Sequence, residues 1–184
     1  MHYSSIKQHL KPYSIFARRK TTINHAFASA IAPNDEYDEA RVRFALKILG
    51  QDPDEDLKCV YCDSIAQTWD HVFGTVKNSH FSGRGHRLGN LVPSCKACNS
   101  SKGNKDWKEY LQRKGIASGL TIEEIQFREE LIQSYLTAHS YSDSIPENSA
   151  DYNRLLEIRD EVLDLLKEAD ILAARIRDSV LPRD

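Results

Sequence analysis

The stretch "NLVPSCKACNSSKG", residues 90–103, decides the fold that the sequence predicts. Its first five residues are typical of a short strand, and the segment from its cysteines onward predicts a helix that breaks near Gly103. A second cysteine pair, "CVYC" at residues 59–62, predicts a hairpin with a metal-binding turn. The two pairs are far apart in the chain, so a shared ligand would tie two distant segments together.

The four cysteines, in two C-x-x-C pairs, could form disulfides or bind a metal. The N-terminus lacks the apolar core of a signal peptide, and no apolar run approaches the ~18 residues of a membrane span. We therefore expect a cytoplasmic protein, in which disulfides are disfavoured. Four thiolates complete a tetrahedral Zn²⁺ site without an open position, so we predict one structural zinc per chain. Its predicted ligands are Cys59, Cys62, Cys95 and Cys98; one of His71, His80 and His86 could replace a thiolate.

Between the two cysteine pairs, the stretch "TWDHVF" at residues 68–73 places Asp70 directly before His71. Histidine has an unperturbed pKa of about 6.5, which suits a general base near neutral pH. Neighbouring side chains of a strand point to opposite faces. A distortion or a strand end would therefore have to bring Asp70 and His71 into one site.

The net charge of −2 conceals a strong segregation of charge along the chain. Residues 71–114 carry nine basic groups against two acids, whereas residues 115–184 carry seven basic groups against fifteen acids. A basic segment of this kind suits a polyanion such as DNA, and a solvated basic face is the alternative. Residues 74–89 contain four glycines without a clear period and predict a long loop within that segment.

The order Asp70-His71, Asn90, Cys98-Asn99 resembles the HNH family of nucleases. The matching segments are "CVYC", "WDHV" and "LGNLVPSCKACNSSKG", within residues 59 to about 107. Asn99 stands where many members have a histidine, which makes this an H-N-N variant. The resemblance implies a ββα-metal finger and a phosphodiester hydrolase.

The resemblance also implies a role for each matching residue. His71 would be the general base, Asp70 and Asn99 would bind Mg²⁺, which Mn²⁺ could replace, and Asn90 would brace the loop that carries His71. A carboxylate and an amide oxygen suit such a hard ion. The predicted catalytic residues are thus His71, Asp70, Asn90 and Asn99, and the predicted DNA contacts are Lys77, Arg84, Arg87 and Lys102. Taken alone, Asn99 could be a helix N-cap and Lys102 a solvated surface lysine.

The expected architecture is α+β, with a small ββα-metal nuclease core and a four-cysteine zinc site embedded in helical segments. Residues 1–56 would form a basic arm and helices, residues 57–115 the core, and residues 116–184 a helical C-terminal segment. Residues 34–50 predict a helix, and Thr121 and Glu124 form a capping box. Residues 152–180 carry a broad apolar stripe, which would either contact a second chain or pack within its own domain.

The sequence thus predicts a Mg²⁺-dependent endonuclease of restriction or phage-defence type. It would cut double-stranded DNA as a homodimer, because a double-strand cut needs two active sites. One alternative is a homing or phage-type nicking endonuclease. Another is a zinc-stabilised DNA-binding module without catalysis.

Overall fold

The protein has an α+β architecture, as the sequence predicts, in a computed structural model that describes residues 2–140 and 149–180. Within these residues the helices are α1 (Ile15–Ile31), α2 (Glu39–Ile48), α3 (Lys96–Lys102), α4 (Trp107–Ala117), α5 (Ile122–Ala138) and α6 (Ala150–Val180). The strands are β1 (Thr68–His71), β2 (Val76–Lys77), β3 (His80–Phe81) and β4 (Leu91–Ser94). A 3₁₀ helix covers Tyr3–Gln8. None of the described helices is long and apolar enough to cross a membrane.

Two compact units divide the chain. One combines Met1–Phe27 with Pro146–Asp184, and the other is Ala28–Ile145. The division differs from the three consecutive segments predicted from the sequence, because the two chain ends belong to the same unit. Nothing in the local sequence pattern signals that pairing, since it depends on contacts between residues far apart in the chain.

The sheet of β1 and β4 is the part of the second unit that positions the candidate site. The two strands are antiparallel, with Asp70 opposite Val92 and His71 opposite Leu91. The chain runs from β4 through Cys95, whose side chain caps α3, and α3 then packs against β1. Helix α3 is thereby held against the short sheet that β1 and β4 form.

The segment predicted as a long irregular loop, residues 74–89, contains a second sheet. Its strands β2 and β3 pair in antiparallel register across a tight turn. Asn78 and Ser79 at this turn have φ of 51° and 68°, the left-handed conformation that tight hairpin turns require. Val76 and Phe81 are buried in a small cluster with Ala28 and Ala32. The prediction of an irregular loop was wrong because each strand is only two residues long and has no readable alternation.

The main core packs α2, α4 and α5 against the β1–β4 sheet and the cysteine turns. Its largest fully buried side chains include Tyr61, Leu111, Ile132 and Tyr135. The predicted capping box of Thr121 and Glu124 is present at the start of α5. The predicted helix over residues 34–50 begins only at Glu39, with Asp38 as its N-cap.

In the other unit, α6 caps the start of α1. The Asp170 carboxylate accepts hydrogen bonds from the Ser14 hydroxyl at 2.7 Å, the Ile15 amide at 2.6 Å and the Phe16 amide at 3.1 Å. The two amides lie at the N-terminus of α1, where backbone N–H groups have no partner within the helix. A carboxylate that accepts their hydrogen bonds stabilises the helix. The sequence predicted a basic arm and helices over residues 1–56 but not the start of α1, because the acid that caps it lies more than 150 residues away in the chain.

Helix α6 confirms the helical pattern predicted for residues 152–180. Arg159 and Leu163 are buried on it. Several of its large apolar side chains are nevertheless exposed within the single chain. These are Ile158, Leu165, Ile171, Leu172, Ile176 and Val180.

Candidate functional site

The four cysteines converge on one point, as predicted. Their sulfur atoms all lie within 4.8 Å of one another. The Cys62 Sγ lies 3.7 Å from that of Cys95 and 3.5 Å from that of Cys98. A tetrahedral zinc with Zn–S bonds of about 2.3 Å places its sulfurs about 3.8 Å apart, so these distances fit a structural ion such as zinc. His71, His80 and His86 are not members of this group.

The burial of the thiols suits a closed site. Cys59 and Cys98 are fully buried, Cys95 is nearly so, and Cys62 is half-buried. Desolvation raises the pKa of the Cys59 and Cys98 thiols. For Cys62, burial also acts upward, but the contact with Ser64 and those with neighbouring thiols bring its pKa down to about 7. Bound metal would offset the cost of burying these groups as thiolates.

Asp70, the first residue of the predicted catalytic pair, points into the core. Its side chain is buried, and its Oδ2 accepts a hydrogen bond from the Tyr61 hydroxyl at 2.9 Å. The same oxygen lies 3.2 Å from the Lys102 ammonium, which also donates to the His71 carbonyl at 2.6 Å. Desolvation raises the pKa of Asp70, while Lys102 and Tyr61 oppose that rise.

Lys102 therefore does not have the exposed position predicted for a phosphate contact or a solvated lysine. Its side chain is 0% exposed, and its charge is neutralised by Asp70. A lysine buried to this degree needs such a partner, because an unpaired ammonium in the interior is strongly disfavoured. The sequence could not reveal this pair, since Asp70 and Lys102 lie on different elements.

The side chain of Asn99 is used to hold β1. Its Nδ2 donates to the Trp69 carbonyl at 3.2 Å and to the Thr68 hydroxyl at 3.3 Å. Asn99 is also not the N-cap of α3, a position that Cys95 occupies. These contacts anchor the helix to the strand.

Asp70 and Asn99 do not fit a Mg²⁺ site in this arrangement. Their donor chemistry, a carboxylate and an amide, is that of a hard ion. The carboxylate, however, is buried and carries Lys102 as its counter-ion, so its charge is already compensated. Among the described residues, the cysteines are the only group of three or more His, Cys, Asp or Glu side chains arranged to hold a metal.

His71 lies on the other face of β1, against a second histidine. Its Nε2 is 2.9 Å from the Nδ1 of His86, and the ring centroids are 4.9 Å apart at an interplanar angle of 66°. Burial is the largest cause that lowers the pKa of His71 to about 4, and electrostatic interactions with His86 and Lys102 act in the same direction. The imidazole is thus neutral at physiological pH and can accept a proton, although it is a weaker base than its unperturbed pKa of about 6.5 implies.

Asn90 fixes the two segments that carry these histidines. Its side chain is fully buried, and its Oδ1 accepts a hydrogen bond from the Phe73 amide at 2.8 Å. Its Nδ2 donates to the Phe73 carbonyl at 3.1 Å and to the Gly85 carbonyl at 2.9 Å. Phe73 follows His71 by two residues, and Gly85 directly precedes His86. One amide therefore holds both histidine-bearing segments.

The segment that carries His86 is also docked on the chain just before α2. The His86 amide donates to the Pro33 carbonyl at 2.8 Å, and the Asp35 amide donates to the His86 carbonyl at 3.3 Å. Residue 85 must be glycine, because a Cβ there would collide with the Pro33 carbonyl. The sequence did not predict a role for His86. In the structure Asn34 forms a β-bridge with His86, whereas the sequence pattern predicted that Asn34 lies in a helix.

The remaining predicted DNA contacts fall in two places. Lys77 and Arg84 line an open cleft of about 590 Å³, which also contains Lys105. The Arg84 guanidinium lies 4.4 Å from the centre of the Phe73 ring, which forms part of the same cleft. Arg87 instead lies with its Nε 3.9 Å from the Asp35 carboxylate. Three basic groups thus converge beside the end of β1.

Comparison with protein-family models, with curated proteins and with solved structures yields no match for this chain. The candidate site is therefore defined by its own contacts. These are the closed thiol cluster, the buried Asp70–Lys102 pair, the two histidines held by Asn90, and the adjacent basic cleft.

Proposed function

We propose that this protein is an endonuclease of the HNH type that hydrolyses phosphodiester bonds of double-stranded DNA. The observation that carries the proposal is the half-buried His71 imidazole, neutral at physiological pH, on a strand that leads directly into a cleft with three basic side chains, Lys77, Arg84 and Lys105. The proposal is further supported by the pairing of β1 with β4 and by α3, which follows β4 and packs against β1, since a ββα-metal finger requires two paired strands and a helix. A restriction or phage-defence enzyme with a structural zinc is the form of the proposal that we favour.

The chemistry assigns a task to each part of the site. Phosphodiester hydrolysis needs a base to take the proton of the attacking water and positive charge to stabilise the phosphate. His71 is the base. Lys77, Arg84 and Lys105 supply the positive charge along the path of the DNA backbone, where each neutralised phosphate adds to a salt-dependent affinity.

A divalent ion, Mg²⁺ or Mn²⁺ in its place, is part of the proposal through the resemblance to the HNH family. No step is assigned to it here, because Asp70 is paired with Lys102. Plasmid cleavage with Mg²⁺ and with Mn²⁺ measures how the reaction depends on each ion.

The same basic cleft also supports the alternative of a zinc-stabilised DNA-binding module without catalysis. Such a module would need Lys77, Arg84 and Lys105 but would not need His71. A nicking endonuclease is the second alternative, since it needs only one active site. The proposed homodimer, by contrast, supplies two active sites for a double-strand cut.

Plasmid cleavage tests the proposal and separates the alternatives. Supercoiled plasmid, methylated and unmethylated, is incubated with the zinc-loaded protein and Mg²⁺ or Mn²⁺, and nicked and linear products are quantified. We expect linear product from the wild type and a rate about 10² to 10⁴ times lower for His71→Ala. His80→Ala is the matched control, because His80 is an exposed histidine of the same segment whose ring bonds only to the nearby Asn78 carbonyl.

Each other outcome has a defined reading. DNA binding without cleavage on every substrate would favour the binding module. Nicked product alone would favour the nicking enzyme. Cleavage by a correctly folded His71→Ala protein at the wild-type rate would show that His71 is not the base.

A further inference from the structure

The contact between His71 and His86 gives His86 a task in the proposed reaction. We propose that His86 is a positioning residue, which accepts a hydrogen bond from His71 Nε2–H and thereby leaves His71 Nδ1 as the basic nitrogen. This inference rests on the proposed function, because it concerns how His71 acts as a base. It adds a residue for which the sequence pattern of the HNH resemblance gave no role.

The two nitrogens of a neutral imidazole have different hydrogen-bonding roles. One of its nitrogens carries a hydrogen and donates, and the other has a lone pair and accepts. The 2.9 Å contact between His71 Nε2 and His86 Nδ1 therefore places a single hydrogen between two nitrogens. That hydrogen belongs either to His71 or to His86.

Only one of the two choices leaves His71 able to act. If His86 donated, the lone pair of His71 would be occupied at Nε2, and its Nδ1 would carry the other hydrogen. His71 would then have no nitrogen free to take a proton from water. If His71 donates, its Nδ1 has the lone pair, and within the described residues this nitrogen has no hydrogen-bond partner and is not among the buried polar atoms.

The surroundings hold the two rings in this relation. Asn90 bonds both to Phe73, beyond His71, and to Gly85, before His86. The backbone of His86 is bonded on both sides, to Pro33 and to Asp35. Because hydrogen bonds fix both backbone segments, the contact between the two imidazole rings is part of the folded structure.

The same hydrogen bond would assist the reaction once His71 has taken the proton. The Nε2–H group of the resulting imidazolium is a charged donor, and hydrogen bonds from charged donors are about twice as strong as neutral ones. His86 accepts that bond without carrying a negative charge of its own. It therefore fixes the tautomer of His71 without adding a negative charge that would attract a cation into the site.

Nitrogen NMR of the histidines tests the tautomer without any turnover. Long-range ¹H–¹⁵N spectra of the zinc-loaded protein distinguish the two neutral tautomers, and His71→Gln, His86→Ala and His80→Ala assign the signals. We expect His71 with its hydrogen on Nε2 in the wild type and a mixture of tautomers in His86→Ala. A wild-type His71 with its hydrogen on Nδ1, or an unchanged His71 signal in His86→Ala, would overturn the proposal.

Zinc titration in the same spectra tests another occupant for the space between the rings. We expect one zinc per chain, on the cysteines, with no change at His71 or His86 as further Zn²⁺ is added up to a second equivalent. A second zinc bound with loss of both histidine nitrogen signals would mean that the rings form a metal site, and positioning by hydrogen bonding would be rejected.

Cleavage kinetics then measure what the contact contributes. We expect His86→Ala to lower kcat by between about 10-fold and about 10⁴-fold, the upper value being that of a catalytic histidine held in the wrong tautomer, with little change in KM. His86→Asn places an amide oxygen near the position of Nδ1 and should restore much of the lost rate. An equal loss in Asn and Ala variants, or a loss confined to KM, would indicate a structural or DNA-binding role.

Different outcomes would contradict the role of His86 and the proposed endonuclease function. If His71→Ala abolishes cleavage while His86→Ala retains the wild-type kcat, the proposed function stands and the role of His86 falls. If the wild type cleaves no DNA, the proposed function falls, and the NMR spectra alone then report whether His86 holds the tautomer. If His71→Ala retains cleavage, the endonuclease stands, but His71 is not its base and His86 has no base to position.

Discussion

The Lys102 ammonium lies 3.2 Å from the Asp70 carboxylate, and neither side chain is more than 5% exposed. Lys102 also bonds to the His71 carbonyl, and Asp70 also bonds to Tyr61, which lies in the chain between Cys59 and Cys62. This buried pair thus connects the cysteine cluster to the strand that carries His71. It replaces the exposed phosphate contact and the Mg²⁺ ligand that the sequence predicted for these two residues.

Lys102→Met should destabilise the protein, because it leaves the Asp70 carboxylate buried without its counter-ion. Breaking a buried pair on one side typically costs about 3 to 5 kcal/mol. We expect a loss of that size in the free energy of unfolding, measured with urea at pH 7. Lys105→Met, an exposed neighbour, is the control and should change it by less than about 0.5 kcal/mol. Equal stabilities of the two variants would mean that the pair is not formed.

Removal of the metal should unfold the second unit. A structural zinc contributes on the order of 10 to 16 kcal/mol, which is as large as the whole stability of a typical domain. We expect one zinc per chain by mass spectrometry of the metal content. A chelator should abolish the cooperative melting transition of the zinc-loaded protein, and added zinc should restore it. A chelated protein with unchanged melting would contradict a structural role for the four cysteines.

Asn90→Ala should lower both stability and activity. It removes three hydrogen bonds and leaves the Phe73 amide, the Phe73 carbonyl and the Gly85 carbonyl without the side chain that satisfies them. We expect the free energy of unfolding to fall by about 3 kcal/mol and the cleavage rate by at least about 100-fold at a temperature where the variant is folded. Asn90→Asp, which retains the acceptor but loses both donated bonds, should not restore the rate. Asn153→Ala on α6 is an exposed control.

The stability of the protein should depend on pH through His71. The pKa of His71 is about 4 in the folded chain and about 6.5 in the unfolded chain. The unfolded chain therefore binds more protons between these values, so the free energy of unfolding falls as the pH drops from about 6.5 towards 4. At pH 5 this one group accounts for up to about 2 kcal/mol. Urea unfolding of wild type and His71→Gln at pH 7.5 and 5 isolates it, and parallel losses in both would show that His71 titrates normally.

The exposed apolar side chains of α6 should mediate the proposed homodimer. Leu165 and Leu172 are one heptad apart, and they are 63% and 47% exposed in the single chain. A charge at such a position opposes the burial of apolar area that drives association. We expect light scattering after size exclusion to give a dimer for the wild type and for Asn153→Glu, and a monomer for Leu165→Glu. A wild-type monomer at all accessible concentrations would exclude this contact.

The features that sequence analysis predicted well are those with local signals. The C-x-x-C spacing of the four cysteines is visible in the sequence and predicts a metal site. The capping box depends only on Thr121 and Glu124, and the apolar residues of α6 recur with a helical period. The α+β class follows from the same local patterns. In each case the residues that form the feature are close in sequence or belong to a known ligand arrangement.

The features that it missed depend on contacts between distant segments. The burial of Lys102 requires Asp70 on another element, and the place of His86 requires a bridge to Asn34, which had been assigned to a helix. A polar residue such as Asn or Lys has several plausible environments, and composition does not choose between them. The adjacent Asp70 and His71 illustrate this, since the alternation of β1 separates their side chains, one into the core and one towards His86.

The cap that Asp170 provides for α1 has a consequence for the order in which the protein forms during translation. The donors at Ser14 and Ile15 are synthesised more than 150 residues before their acceptor, Asp170. Domains generally fold as units while the chain is being synthesised. The unit from Ala28 to Ile145 is therefore synthesised in full before Asp170 is made, so α1 receives its cap only after that unit can fold.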